Sequence, residues 1–410
     1  MKRAALVVAA SMLALGCTQR TDLLPPPDLG SVKSIDGGAP ACSGLGAPVR
    51  LGGSDGPCAG ALAASTVNRA ICSCDSIELA NTLITQGGSG PNTGQMGGGG
   101  SGGGGGGMPP PSSPSGSAGV ASDGNIEVAG SAEVGGSVTA GGSGGVGFDK
   151  PAQILGDLRT AGSLEAMQIA TVGGDAYVAG DVLGRPIVLG TLYVSPTSNV
   201  SQSAANNYIV AQPIDVAPPC NCAAGPVVDV AAAVTADATM NDNAAAGLDA
   251  TALATTKGPT SFDLPCGSYY LPSLTTNDTL EIRVHGRSAL HIGGDVSLAD
   301  GLRVTLDDGA ELDLLVSGDV TVTTGAVGAP TAAAVRLWLA SSTVQLGADA
   351  TLSAIVYAPG AVLLSDQGLN ATGALFVGNI TTFGDVSVRF DANVLTDGAE
   401  CGQATVSAPF

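Results

Sequence analysis

A glycine-aspartate-aliphatic step recurs along this chain and restricts its fold more than any other feature. It stands at Gly156-Asp157-Leu158, Gly180-Asp181-Val182, Gly294-Asp295-Val296, Gly318-Asp319-Val320 and Gly384-Asp385-Val386, the third and fourth copies 24 residues apart. Glycine turns the chain, aspartate satisfies the turn, and a strand begins again. Repeats at about 20 to 30 residues mark stacked units, none of which buries its apolar face alone. The expected fold is therefore all-β: a parallel β-helix (β-solenoid) with a short helical/loop insertion and a flexible Gly-rich linker.

The alternation around these steps agrees. Ile126-Glu127-Val128 and Ala132-Glu133-Val134, bounded by Gly or Asp, and Leu312-Asp313-Leu314, Val320-Thr321-Val322 and Val335-Arg336-Leu337-Trp338-Leu339 are short period-two runs, the signature of strands and turns. Only 3% of residues are aromatic, so the core must be built from Val, Leu, Ile and Ala. In each run the aliphatic residues are expected to point inward and Thr, Asp and Arg to face solvent. A β-sandwich also has short, regularly spaced strands, but the Gly-Asp step keeps one place relative to its strand, which favours coils. Coils of roughly 20 to 25 residues would give about five to seven between Cys266 and Leu395.

The chain divides by composition. Residues 1–17 carry Lys2 and Arg3, the apolar stretch Ala4 to Leu15, and Ala14-Leu15-Gly16-Cys17, which reads as a signal peptide. Residues 18–40, with Pro25-Pro26-Pro27, read as a tether, and 41–86 as a Cys-containing N-terminal segment with an apolar coil near Ile77 to Ile84. Residues 87–119 form a Gly/Pro/Ser-rich linker. It has no Lys-Ser/Thr ending and no flanking strand and helix, so it is not a phosphate loop. Residues 120–217 are a first solenoid part and 266–396 a second. Between them, 218–265 is the helical/loop insertion, with a short helix after Pro226 expected to end at Asn241-Asp242-Asn243 and to lie on the solenoid flank. Residues 397–410 are a tail.

Nine cysteines are present. If Cys17 is lipidated, eight remain: Cys42, Cys58, Cys72, Cys74, Cys220, Cys222, Cys266 and Cys401. An even number in an exported chain is expected to be oxidised to disulfides, of unspecified connectivity beyond a local Cys42–Cys58 candidate. Cys72-x-Cys74 and Cys220-x-Cys222 are spaced more closely than the usual zinc pairs. The net charge of −20 excludes nucleic acid and anionic lipid surfaces as expected partners.

Several segments match known patterns. Ala14-Leu15-Gly16-Cys17 resembles a bacterial lipobox, which implies diacylglycerol on Cys17 and cleavage before it. More than one acyl chain gives stable membrane anchoring. Thr18, where an inner-membrane retention signal has Asp, points to the outer membrane. Leu352-Ser353-Ala354-Ile355-Val356-Tyr357-Ala358-Pro359-Gly360-Ala361, Gly373-Ala374-Leu375-Phe376-Val377 and Val388-Arg389-Phe390-Asp391 resemble the closing coils of an uncharacterised bacterial β-solenoid domain. That domain occurs in surface and pilus-associated proteins, including Gly-rich lipoproteins of myxobacterial type. Ile71-Cys72-Ser73-Cys74, Cys220-Asn221-Cys222 and Pro265-Cys266-Gly267-Ser268-Tyr269-Tyr270 look like the same lipoprotein group. The resemblance covers roughly residues 70 to 395 apart from the glycine run, and extends distantly to bactofilins, which polymerise end to end. The family supplies no catalytic residue.

Little in the sequence suggests chemistry. His285 and His291 are the only histidines and read as surface residues flanking the ladders. No catalytic residue, metal ligand or cofactor is assigned. The expected role is structural, adhesive or cell-surface, in an outer-membrane lipoprotein that is not an enzyme. The alternatives are a carbohydrate-binding or polysaccharide-degrading β-helix, and a self-polymerising surface-assembly subunit. The membrane, through the lipid anchor, is the expected partner, with self-association or surface polysaccharide beside it.

Overall fold

The structure, a computed structural model, describes residues 45–51, 56–87, 117–204, 208–348 and 350–398. It is a β-solenoid of about 13 turns built from stacked parallel strands. Each coil contributes to three faces. In the second half of the chain the first face is laid down by Gly267–Leu271, Arg287–Ile292, Glu311–Val316 and Val335–Leu339, paired in parallel in that order. Leu274–Thr276, Val296–Leu298, Val320–Val322 and Thr343–Leu346 form the second face, and Thr260–Leu264, Leu280–Val284 and Leu302–Leu306 the third.

Coil length follows from register. Ser288 pairs with Leu312, 24 residues on, whereas Leu337 pairs with Val356, 19 residues on. In the first half Leu158 pairs with Ala176 and Ala176 with Leu192, 18 and 16 residues on. Corners made of pairs such as Gly173-Gly174 are tight enough to shorten the coil.

Stacking order departs from chain order. The last long strand, Gly368–Thr382, does not end the solenoid: its Leu375, Phe376 and Val377 pair with Ile71, Cys72 and Ser73. Its Ile380, Thr381 and Thr382 pair with Ile77, Glu78 and Leu79, and Asp385–Phe390 pairs with Leu83–Gly87. On its other side this N-terminal coil pairs with Val120–Ser122, Ile126–Val128 and Ala132–Val134. Residues 69–87 are thus the central coil, joining the second half of the chain to the first. The Gly/Pro/Ser-rich run leaves from Gly87 and re-enters at Ser117 in the adjacent coil, where Thr85 donates to the Ala118 carbonyl. It is an insertion at one corner of neighbouring coils. Corner insertions of this kind are the ones repeat folds tolerate best.

The first half therefore ends at Ile209–Ala211, while the second half begins at the opposite end of the rod. Residues 212–254 run back along the first face as a strap. Cys220 and Cys222 lie on the central coil, bonded to Cys72 and Cys74. Further along, the Val227 N–H donates to the Tyr357 hydroxyl. Three short helices complete the strap: α1 (Val230–Asp237), α2 (Asn243–Ala246) and α3 (Ala250–Ala254). Asp229 starts α1 by accepting the Ala232 N–H at 2.9 Å, the usual work of an N-cap carboxylate. The helix packs on Glu311–Val316 and Gly267–Leu271.

The strap also finishes the rod. Asp242 and Asn243 sit along the outer edge of Gly267–Leu271 and take the place of another strand. Asp242 N–H donates to Ser268 O at 2.7 Å and its carboxylate accepts Ser268 N–H at 2.9 Å. Asn243 accepts Tyr270 N–H at 3.0 Å and donates to Tyr270 O at 2.6 Å. The expected Asn241-Asp242-Asn243 helix stop is thus an edge cap, and α1 itself ends earlier, at Asp237.

The core is the expected stack of aliphatic ladders. Leu290, Leu314 and Leu337 are register partners and all buried. The outward set of the same strands departs from expectation. Asp313 and Arg336, expected to face solvent, are 0% and 2% exposed, and Trp338 on the same outward side is 1% exposed. They point out of the coil and are buried beneath chain segments laid over the first face.

Candidate functional site

Two places gather polar side chains on this framework. The first is the covered part of the first face. Arg336 Nε donates to Asp313 Oδ1 at 2.7 Å, and its Nη2 donates both to Asp313 Oδ2 at 2.8 Å and to Glu311 Oε2 at 2.6 Å. Trp338 Nε1 donates to Asp313 Oδ1 at 2.8 Å, and Arg287 reaches Glu311 at 3.4 Å. Burial by itself would lower the Arg336 pKa, but Asp313 and Glu311 outweigh it and hold the guanidinium charged. Removing one member would strand a buried charge. The neighbouring outward residues Trp338, Tyr357 and Phe376 make an aromatic ladder with ring centroids 5.4 and 5.2 Å apart. This is the packing of a lid on a sheet, not an open site.

The two histidines part company here. His285 is exposed as expected, held between Asp307 at 2.8 Å and Asp263 at 3.2 Å, one from each adjacent coil. Its pKa is raised, first by the hydrogen bond to Asp307. His291 is not a surface residue. It is 4% exposed beneath α1, with Nε2 2.9 Å from Asp237 Oδ2 and Nδ1 3.2 Å from Tyr269 O. The strap covers a position that the alternation alone would leave open.

The second place is a groove of about 400 Å³ on the second face, crossing the central coil. Thr381, Glu78, Glu127, Gly147 and Glu165 occupy successive coils at one register position. Glu78, Glu127 and Glu165 are all exposed. Gly147 lacks a side chain between Glu127 and Glu165 and leaves a recess. Asp149 and the exposed ring of Phe383 border it. Glu78 and Glu127, on adjacent coils about 4.8 Å apart, and Glu165, two coils beyond Glu127, can accept hydrogen bonds from hydroxyl or amino groups. Among the described residues no group of His, Cys, Asp or Glu is arranged to hold a metal ion.

Sequence reasoning did not single out these glutamates. Their signal is the repeated triplet Ile77-Glu78-Leu79 and Ile126-Glu127-Val128, divided by the glycine run that hides how close the two coils are.

Of the cysteines, Cys72 bonds Cys220 and Cys74 bonds Cys222, each across 148 residues. Cys58 and Cys266 are also disulfide-bonded, while Cys17, Cys42 and Cys401 fall outside the described residues. Asp123 steadies the clamp, its two carboxylate oxygens accepting the Cys220 and Cys222 N–H groups at 2.7 and 3.0 Å. Between them Asn221 takes a left-handed conformation, φ 55°, which asparagine adopts more readily than most residues.

Neither a curated protein nor a solved structure matches the chain. The family described as a domain of unknown function, DUF7305, matches residues 223–396, which comprise the strap from just after the clamp and the coils of the second half.

Proposed function

We propose that this chain is an outer-membrane-anchored lipoprotein, a disulfide-stabilised rod with a structural, adhesive or cell-surface role and no catalysis. The observation that carries the reading is the double clamp, Cys72–Cys220 and Cys74–Cys222, which ties the strap to the central coil. Disulfides of this kind persist in oxidising compartments, and Ala14-Leu15-Gly16-Cys17 supplies the matching export and acylation signal. Replacing Cys17 tests it. Cys17→Ser should abolish palmitate labelling and move the protein out of the membrane fraction; a variant that stays labelled overturns the anchor.

The groove favours one second reading, binding of a surface polysaccharide. Exposed carboxylates aligned on one face with an aromatic ring at the border, Glu78, Glu127, Glu165 and Phe383, suit a neutral or amino-bearing sugar chain. Glu127→Gln with Phe383→Ala should then abolish retention on immobilised cell-surface polysaccharide. Unchanged retention rejects the groove as the binding site.

A further inference from the structure

The two ends of the rod are finished differently. At the end that begins the second half, Asp242 and Asn243 satisfy Ser268 and Tyr270 of the edge strand, and α3 places Leu253 in the core. At the other end, Ile209–Ala211 pairs only with Leu192–Val194 among the described residues. Its outer edge has no strand and no side-chain cap there.

The exposed apolar surface is concentrated at that same end. Of the eleven large apolar side chains that stand exposed among the described residues, seven lie in the half of the solenoid that leads to this end: Leu155, Met167, Ile169, Leu183, Ile187, Leu189 and Tyr208, with Leu189 at 71% and Tyr208 at 73%. Exposed apolar side chains gathered on neighbouring coils mark a contact surface. The charge pattern says which contact. Residues 186–214 contain no Asp, Glu, Lys, Arg or His in a chain of net charge −20. An approach of two copies through this uncharged stretch brings fewer like charges together than one along the rest of the acidic chain.

We propose that this end binds a second copy of the chain, end against end, in a closed twofold dimer. A filament that continued the first face would have to pair Ile209–Ala211 with an edge that Asp242 and Asn243 already occupy, so the proposal is a closed contact and not head-to-tail growth. An isologous contact uses the same uncapped end of both copies and closes. The inference goes beyond the proposed function and does not depend on the lipid anchor.

The test is the number of protein copies per particle, measured by light scattering on the full chain in mild detergent. Wild type should contain two copies, and Tyr208→Lys with Leu189→Lys should contain one, halving the protein mass with unchanged circular dichroism. A wild-type monomer, particles that grow steadily with concentration, or a variant that remains dimeric would each overturn the proposal. A second variant guards against misfolding. Tyr208→Cys should give an intermolecular disulfide, whereas Met240→Cys, equally exposed on the strap, should give none; the reverse pattern contradicts the assignment.

Discussion

Asp295 accepts the N–H of Asp319 at 3.0 Å, and Asp319 in turn accepts the N–H groups of Ser342 and Thr343 at 3.2 and 3.0 Å. Asp157 does the same for Asp175, Asp181 for Asn199 and Asp385 for Thr82. All five recurring aspartates therefore serve the neighbouring coil, not their own turn. The partner glycine makes room: a Cβ on Gly318 would lie 2.4 Å from Asp295 Oδ1. The step was legible as a repeat, but its work between coils was not, because a sequence does not say which turn lies beside which. Inward positions were legible. Leu314 is buried with Leu312 and Val316, whereas Thr321 is half-buried on an outward position. Leu314→Asp should cost several kcal/mol, on the order of the whole stability of a marginal domain. Thr321→Asp should cost about 0.5 kcal/mol or less. Thermal melting separates the two, and equal midpoints would refute the register. His285 supports a pH prediction. Its pKa is raised in the folded state, so its contribution is fully present below the unfolded value of about 6.5 and is lost as pH rises through the folded value. The site is half exposed, which limits the effect to under about 1 kcal/mol. Urea midpoints of wild type should exceed those of His285→Gln at pH 6 and converge by pH 9.

At the scale of elements, the segments laid over the first face, the strap and the turn at Gly398 among them, hold what the alternation could not reveal. Outward Asp313, Arg336, Trp338 and His291 are buried because segments remote in sequence are laid over them. No periodicity within Val335–Leu339 encodes a cover contributed by another part of the chain. The clamp was closer to legible. In an extended strand, residues two apart point the same way, so an extended Cys72-x-Cys74 presents two thiols to one side, and the left-handed Asn221 shapes Cys220-x-Cys222 to meet them. Two such motifs with equal separations, 148 residues for each pair, match one another in register. Peptide mapping under non-reducing conditions should recover Cys72 linked to Cys220 and Cys74 linked to Cys222, and denaturing alkylation should modify neither pair. Bound zinc with reactive thiols at these four positions would contradict the clamp. Removing both bridges by Cys220→Ser and Cys222→Ser opens loops of this length in the unfolded chain and should lower stability by about 2–5 kcal/mol.

For the whole molecule, the fold class was readable while the order of its coils was not. Aliphatic triplets such as Ile77-Glu78-Leu79 and Leu192-Tyr193-Val194 are interchangeable as neighbours, so nothing local decides which of them receives Gly368–Thr382. The structure gives that place to residues 69–87, the coil ahead of the glycine run, and the solenoid becomes one continuous rod instead of two parts in series. The acid-lined groove exists only because of this order, since Thr381 and Phe383 meet Glu78 and Glu127 across it. The most direct measurement is an engineered bridge between Glu78 and Thr381, register partners on adjacent coils at a spacing that a disulfide spans. In the Glu78→Cys, Thr381→Cys variant, mass mapping of the monomer should find the two positions joined under mild oxidation. Two free thiols in a folded, oxidised monomer would contradict the central coil and the continuous rod.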